Sequence, residues 1–122
     1  MPLRQLLLLL PLIVLFTASC ATTGGGGSVV TGKASYYGPG FDGKATANGE
    51  KFDRRGLTAA HPSHPFGTLV RVTNIANGKS VDVRINDRFG GHRGRVIDLS
   101  EGAFRRIADV KAGVIDVRVE KM

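Results

Sequence analysis

The chain has 122 residues, 42% of them hydrophobic, and a formal net charge of +7. Its single cysteine, Cys20, excludes an intrachain disulfide framework, so a domain of this size must hold itself by core packing, which about 90 residues can do. The basic excess is spread along the chain and suits an anionic polymer or lipid headgroups, or serves solubility alone.

In chain order, the first segment is apolar from Leu6 to Phe16, follows Arg4 and is interrupted by Pro11. A membrane span needs about 20 apolar residues, and this run is too short for one. Small residues, Ala18-Ser19, then precede Cys20, which is the pattern of a lipoprotein signal over 1–19 with Cys20 as the lipidated residue. Thr17 stands where such signals more often carry Leu, and secretory cleavage leaving a free Cys20 is the rival reading. Residues 20–31, with Gly24 to Gly27, have the composition of a flexible tether. Ala21 rather than Asp follows the cysteine. In a two-membrane bacterium that favours the outer membrane, facing the periplasm; in a single-membrane host the anchor is the cell membrane. An exported lipoprotein rarely meets nucleic acid, so none is expected as a partner, and a monomer is expected.

Residues 32–122 read as one domain of short strands and long loops. Gly32 to Tyr37 is a short strand candidate. Thr68–Asn74 and Val81–Asn86 alternate in hydrophobicity, and Asn77-Gly78 between them is a hairpin signal because both residues tolerate positive φ. Val96 to Leu99 is another short strand. Ser100 is placed to cap one helix, with Ala103, Phe104, Ile107 and Ala108 on one face, ending near Asp109. Val114–Glu120 alternates again. The fold class is mainly β with one short helix, and a barrel is favoured over an open sheet because closure removes edges.

Five motifs punctuate this domain. They are Ala34-Ser35-Tyr36-Tyr37-Gly38, Thr46-Ala47-Asn48-Gly49-Glu50-Lys51-Phe52, Thr58-Ala59-Ala60-His61-Pro62, Ile85-Asn86-Asp87-Arg88 and Arg95-Val96-Ile97-Asp98-Leu99-Ser100. In this order they resemble the rare lipoprotein A family of septal ring lytic transglycosylases, over about Lys33 to Met122. The resemblance implies a six-stranded double-psi β-barrel with a groove across one face. It also implies peptidoglycan glycan strands as substrate, cut without water as the muramic acid 6-hydroxyl closes a 1,6-anhydro ring. No cofactor is implied.

Such a reaction needs a proton donor at the leaving oxygen and relief of charge on the sugar. One carboxyl group can act first as acid and then as base, provided burial raises its pKa. The resemblance carries the catalytic aspartate onto Asp87, which is also a candidate Asx-turn residue. It carries the motif histidine onto His61, a partner for Asp87 or a substrate hydroxyl, or else a residue fixing its own turn. It carries the motif acid onto Glu50, which orients substrate or stabilises oxocarbenium charge, or else is a solvated loop charge. Asp98 is the rival acid, since expansins and other double-psi barrels place a catalytic aspartate similarly; otherwise it is a structural carboxylate pairing with Arg95. Tyr36 and Tyr37, with Phe41, are candidates for stacking on sugar rings, with core packing the alternative. Thr46, Asn48 and Arg88 are candidates for polar contacts to the glycan.

The chain departs from the family pattern after Arg88. Members commonly read Asn-Asp-Arg-Gly-Pro, whereas this chain reads Asn86-Asp87-Arg88-Phe89-Gly90-Gly91-His92. The peptidoglycan-binding repeat domain of many members is not found either, so septal recruitment is not expected. The altered loop motivates a second reading, a non-catalytic barrel that binds or loosens glycan as expansins do. No metal site is expected: His61 and His64, three apart and each followed by proline, form no strong ligand set.

Overall fold

The structure, a computed structural model, describes residues 28–91 and 94–122. Cys20, the signal reading of 1–19 and most of the tether lie outside the described residues. Six strands and one helix follow in order: β1 (Val29–Tyr36), β2 (Thr58–Ala60), β3 (Leu69–Asn74), β4 (Ser80–Asp87), β5 (Arg95–Leu99), α1 (Glu101–Ile107) and β6 (Ile115–Lys121). The strands close into a barrel in the order β1-β5-β2-β4-β3-β6. Two neighbouring pairs, β1 with β5 and β2 with β4, run parallel, and the rest run antiparallel. This is the closed, mainly β architecture expected of the domain.

Alternation builds the interior. In β4, Val81, Val83 and Ile85 point inward; Val70 and Val72 answer from β3, Val117 and Val119 from β6, Ile97 and Leu99 from β5. The hairpin between β3 and β4 turns at Asn77-Gly78, where Gly78 takes φ 76°. β1 begins at Val29, three residues before the expected strand and inside the expected 20–31 tether. Val29 to Thr31 are paired with Glu120 to Arg118 of β6, because closing the barrel gives those backbone groups a partner. β2 is only three residues long and has no alternation of its own to announce it; it is a strand because β4 and β5 both pair with it.

The helix packs against β4, β1 and β5 and adds its buried face to the core. Ser100 Oγ accepts from the Ala103 amide at 3.2 Å, as expected of a cap. Ala103, Phe104 and Ile107 are fully buried. At the other end of α1, Asn74 Nδ2 and Asn77 Nδ2 both donate to the Ile107 carbonyl, at 2.8 and 3.0 Å. The hairpin thereby satisfies a helix C-terminus that has no intrahelical donor left.

Gly102 shows how tightly α1 is seated. Its amide donates to the Arg54 carbonyl at 2.7 Å. A Cβ there would stand 2.8 Å from the Arg55 carbonyl oxygen and 3.0 Å from its carbon, both backbone atoms that cannot rotate away. Gly102→Ala therefore gains about 1 kcal/mol of helix propensity but incurs an overpacking cost of about 1–3 kcal/mol. The expected result is a net loss of stability, seen as a lower urea midpoint at an unchanged m-value.

Candidate active site

The barrel register assembles the site. Ser35 of β1 pairs with Asp98 of β5, Asp98 with Ala60 of β2, and Ala60 with Asp87 of β4. Directly paired residues share a face, so these four form one row across four strands. The two aspartates flank Ala60 at two strand spacings, roughly 10 Å between α-carbons. The β2–β4 pairing is irregular here, stepping from Ala59–Ile85 to Ala60–Asp87 and passing over Asn86. A bulge of this kind re-aims consecutive side chains. It lets Asn86 and Asp87 both serve the loop at 45–51.

That loop is closed by an Ala45–Lys51 bridge and turns at Gly49, φ 94°. The Thr46 hydroxyl, in a residue only 7% exposed, faces Asn48 Oδ1 at 2.6 Å and the Glu50 carbonyl at 3.0 Å. Asn48 Oδ1 also accepts from the Glu50 amide at 3.1 Å. Thr46 and Asn48 are thus occupied in shaping the loop. The Glu50 carboxylate accepts from Arg84 Nη1 and Nη2, at 2.9 and 3.0 Å, and from Asn86 Nδ2 at 3.0 Å. Those donors, Arg84 foremost, hold Glu50 down at about 2, so it is a fixed anion that staples the loop to β4.

Asp87 is held by three donors. The Tyr37 hydroxyl donates to Oδ2 at 2.7 Å, and the Ala47 and Arg88 amides donate to Oδ1 at 2.9 and 2.8 Å. Asp98 is held differently. Arg95 Nη1 donates to Ser35 Oγ at 2.7 Å, and that hydroxyl donates to Asp98 Oδ1 at 2.7 Å. Arg95 therefore reaches Asp98 through Ser35. Burial pushes the Asp98 carboxyl above the usual range, against the Ser35 hydrogen bond and Arg95, with Asp87 adding to the rise.

The two tyrosines part company, because the alternation of β1 carries on into Tyr37 just beyond its end, where the Tyr37 amide still bonds the Leu99 carbonyl. Tyr36 packs on Phe104 with ring centroids 4.7 Å apart and donates its hydroxyl to the Val110 carbonyl at 3.2 Å. It belongs to the helix packing, not to the row of aspartates. Tyr37 faces the site. Arg88 lies over the exposed Phe66 ring, 4.2 Å from its centroid.

His61 does not bond the Asp87 side chain among the described contacts; its backbone amide donates to the Asp87 carbonyl at 3.1 Å. Its Nδ1 accepts from the Ser63 and His64 amides, at 3.0 and 2.9 Å, and its ring stacks on His64 at 4.1 Å. Nδ1 is thus an acceptor, leaving Nε2–H as the donor of a neutral ring. Burial first, then His64 and Arg88, push His61 down to about 4. Among the described residues no cluster of His, Cys, Asp and Glu is arranged to hold a metal ion.

The sequence model of the family described as lytic transglycolase matches residues 29–119. The chain belongs to that family. It is 58% identical over 89 residues to the probable endolytic peptidoglycan transglycosylase RlpA of a Synechocystis species, covering 73% of this chain and 28% of that protein. It is 51% identical over 90 residues to the endolytic peptidoglycan transglycosylase RlpA of Vibrio cholerae, covering 74% of this chain and 34% of that one. The chain thus spans about a third or less of these curated relatives. Among solved structures, a Streptomyces papain inhibitor superposes with TM-score 0.63 at 28% identity, over 78% of this chain and 94% of that one. A Clavibacter michiganensis expansin variant in complex with cellohexaose superposes with TM-score 0.62 at 25% identity, over 78% of this chain and 50% of that one.

Within the family frame, sequence reading missed Ser35 and Arg84 as members of the site, and it paired Arg95 with Asp98 without the Ser35 hydroxyl that stands between them. Ser35 and Arg95 lie inside quoted motifs, but only the β1–β5 register brings them to one carboxylate. The His61 geometry carries a pH dependence. Its folded-state pKa of about 4 lies below the ordinary 6.5, so between those values the unfolded chain binds the extra proton. Stability is expected to fall as pH drops from about 6.5 to 4. His61→Asn keeps an acceptor for the Ser63 and His64 amides and removes the titration. Urea midpoints measured across that window should then slope less; the depressed His64 and, toward pH 4, Glu50 still contribute slope of the same sign, and the raised Asp98 opposes it.

Proposed function

We propose that this domain cleaves peptidoglycan glycan strands as a lytic transglycosylase, breaking MurNAc-GlcNAc β-1,4 bonds and leaving 1,6-anhydro-MurNAc ends. The observation that carries the reading is the pair of aspartates flanking Ala60 on one face, each held in a different environment. Asp98, the buried carboxyl group, is the acid and gives a proton to the glycosidic oxygen as the C1–O4 bond breaks. Asp87, a carboxylate with three donors, stabilises the positive charge that develops on the sugar. It then takes the proton of the muramic acid 6-hydroxyl as that oxygen bonds to C1. The cycle closes when Asp87 loses this proton to solvent and Asp98 regains one.

The other candidates take supporting roles in this proposal. Glu50, held ionised by Arg84, fixes the loop that gives Asp87 its Ala47 amide, with Thr46 and Asn48 shaping the same loop. His61 offers Nε2–H to a substrate hydroxyl. Arg88 on Phe66 forms a rim contact for the glycan. Tyr36 serves packing. We further propose that the domain works in the bacterial cell envelope as a monomer, anchored through lipid on Cys20. Sorting to the outer membrane facing the periplasm follows from Ala21.

The likeness to an expansin in complex with a glucan oligomer favours one second reading, a barrel that binds glycan without cutting it. Digestion of purified sacculi followed by mass spectrometry separates the two. Wild type is expected to release anhydro-terminated fragments, and Asp98→Asn and Asp87→Asn are each expected to lower the rate by about 10²–10⁴-fold with folding intact. Full activity in Asp98→Asn would remove that residue from the acid role. Co-sedimentation with sacculi without new anhydro ends would favour the binding barrel.

A further inference from the structure

We propose that Tyr37 is a positioning residue for Asp87, acting through its hydroxyl, rather than an aromatic platform for a sugar ring. The inference deepens the cleavage reading above and rests on it.

The ring has little left to offer a glycan. One face stacks on Phe52 with centroids 4.5 Å apart and planes 22° apart, and Phe52 itself is only 4% exposed. Phe41 meets it edge-on at 5.6 Å. Phe41, in turn, is half exposed and has the Lys44 ammonium 5.7 Å from its centroid, so it is the more open aromatic of this group. A phenol packed in this way is rigid, and what it delivers is a directed O–H.

That O–H spans the site. The Tyr37 amide donates to the Leu99 carbonyl at 3.0 Å, which fixes the end of β1 to β5, one residue from Asp98. The hydroxyl reaches Asp87 Oδ2 at 2.7 Å, on β4. Strands β5 and β2 lie between β1 and β4 in the barrel. Tyr37 is therefore the described side chain that ties the Asp98 strand to the Asp87 carboxylate. Oδ1 of Asp87 is already taken by the Ala47 and Arg88 amides, so the phenol determines where the second oxygen points. Burial and the Asp87 carboxylate both raise the Tyr37 phenol well above its usual value, so it remains a donor throughout the working pH range. A carboxylate misdirected by a fraction of an ångström loses rate without losing substrate.

Two measurements on the full chain test this. In the first, Tyr37→Phe keeps the ring and removes the O–H. The expected result is a kcat on sacculi lowered by about 10- to 100-fold, the scale of one hydrogen bond to a charged group, with KM within about twofold and a cooperative thermal transition retained above the assay temperature. A sugar platform predicts the reverse: wild-type kcat in Tyr37→Phe and a raised KM in Tyr37→Leu. That pattern would overturn the proposal. The second measurement does not need activity. A slowly exchanging, downfield hydroxyl proton is expected in the proton NMR spectrum of wild type and Asp98→Asn, and absent from Tyr37→Phe and Asp87→Asn. Its absence from wild type refutes the tether. If wild type yields no anhydro ends, the cleavage reading fails, while this spectrum still decides whether Tyr37 holds Asp87.

Discussion

The site depends on the register of two parallel strand pairs. β1 beside β5 brings Ser35 to Asp98, and β2 beside β4 brings Ala60 to Asp87; the antiparallel β2–β5 pair joins the two halves. Parallel neighbours cannot be joined by a tight turn, so each pair needs a long crossover. Here the crossovers contain whole strands: β3 lies between β2 and β4 in the chain, and β2, β3 and β4 lie between β1 and β5. A slip of one residue in either pair would turn an aspartate to the other face. Closing the barrel fixes both registers at once, since a closed sheet has no edge along which a strand can slide.

From this frame the electrostatics follow. Two carboxylates in one row repel each other, and Asp87 contributes to the raised pKa of Asp98. The barrel does not answer that repulsion symmetrically. Asp87, at the end of β4, receives two backbone amides and a phenol. Asp98 lies inside β5, where the strand's own amides are spent on neighbours, and receives one hydroxyl. Arg95 stands one hydroxyl away and so relieves Asp98 only in part. The difference is a product of place: a strand end exposes amides to a side chain, and a strand middle does not.

The loop at 45–51 illustrates how polar residues in a motif serve geometry. Thr46, Asn48 and Glu50 were candidates for touching substrate. In the folded chain their polar atoms bond each other, Arg84 and Asn86, and the product is one well-aimed amide, that of Ala47. His61 behaves alike, since its Nδ1 is used to close the turn at Ser63 and His64, and Nε2 is left as its donor. Functional motifs of this kind carry more scaffold than reacting groups, because a preorganised site must first satisfy its own buried polar atoms.

Much of the fold was legible in the chain because the relevant signals are local. Alternation in β3, β4 and β6, the Asn77-Gly78 turn and the Ser100 cap each depend on a few consecutive residues, and all appear where the chain places them. The five spaced motifs were likewise enough to place the family. What lay beyond reach was set by partners distant in sequence. β2 is a strand only because two others pair with it. β1 starts at Val29 because β6 needs a neighbour there. Tyr36 and Tyr37 look equivalent in sequence, yet one packs on Phe104, 68 positions away, and the other reaches Asp87, 50 positions away. Asp87 and Asp98 were rivals for one role. No local pattern distinguishes them, because solvation and donors decide a carboxyl group's proton affinity, and both are supplied by strands brought together only when the barrel closes.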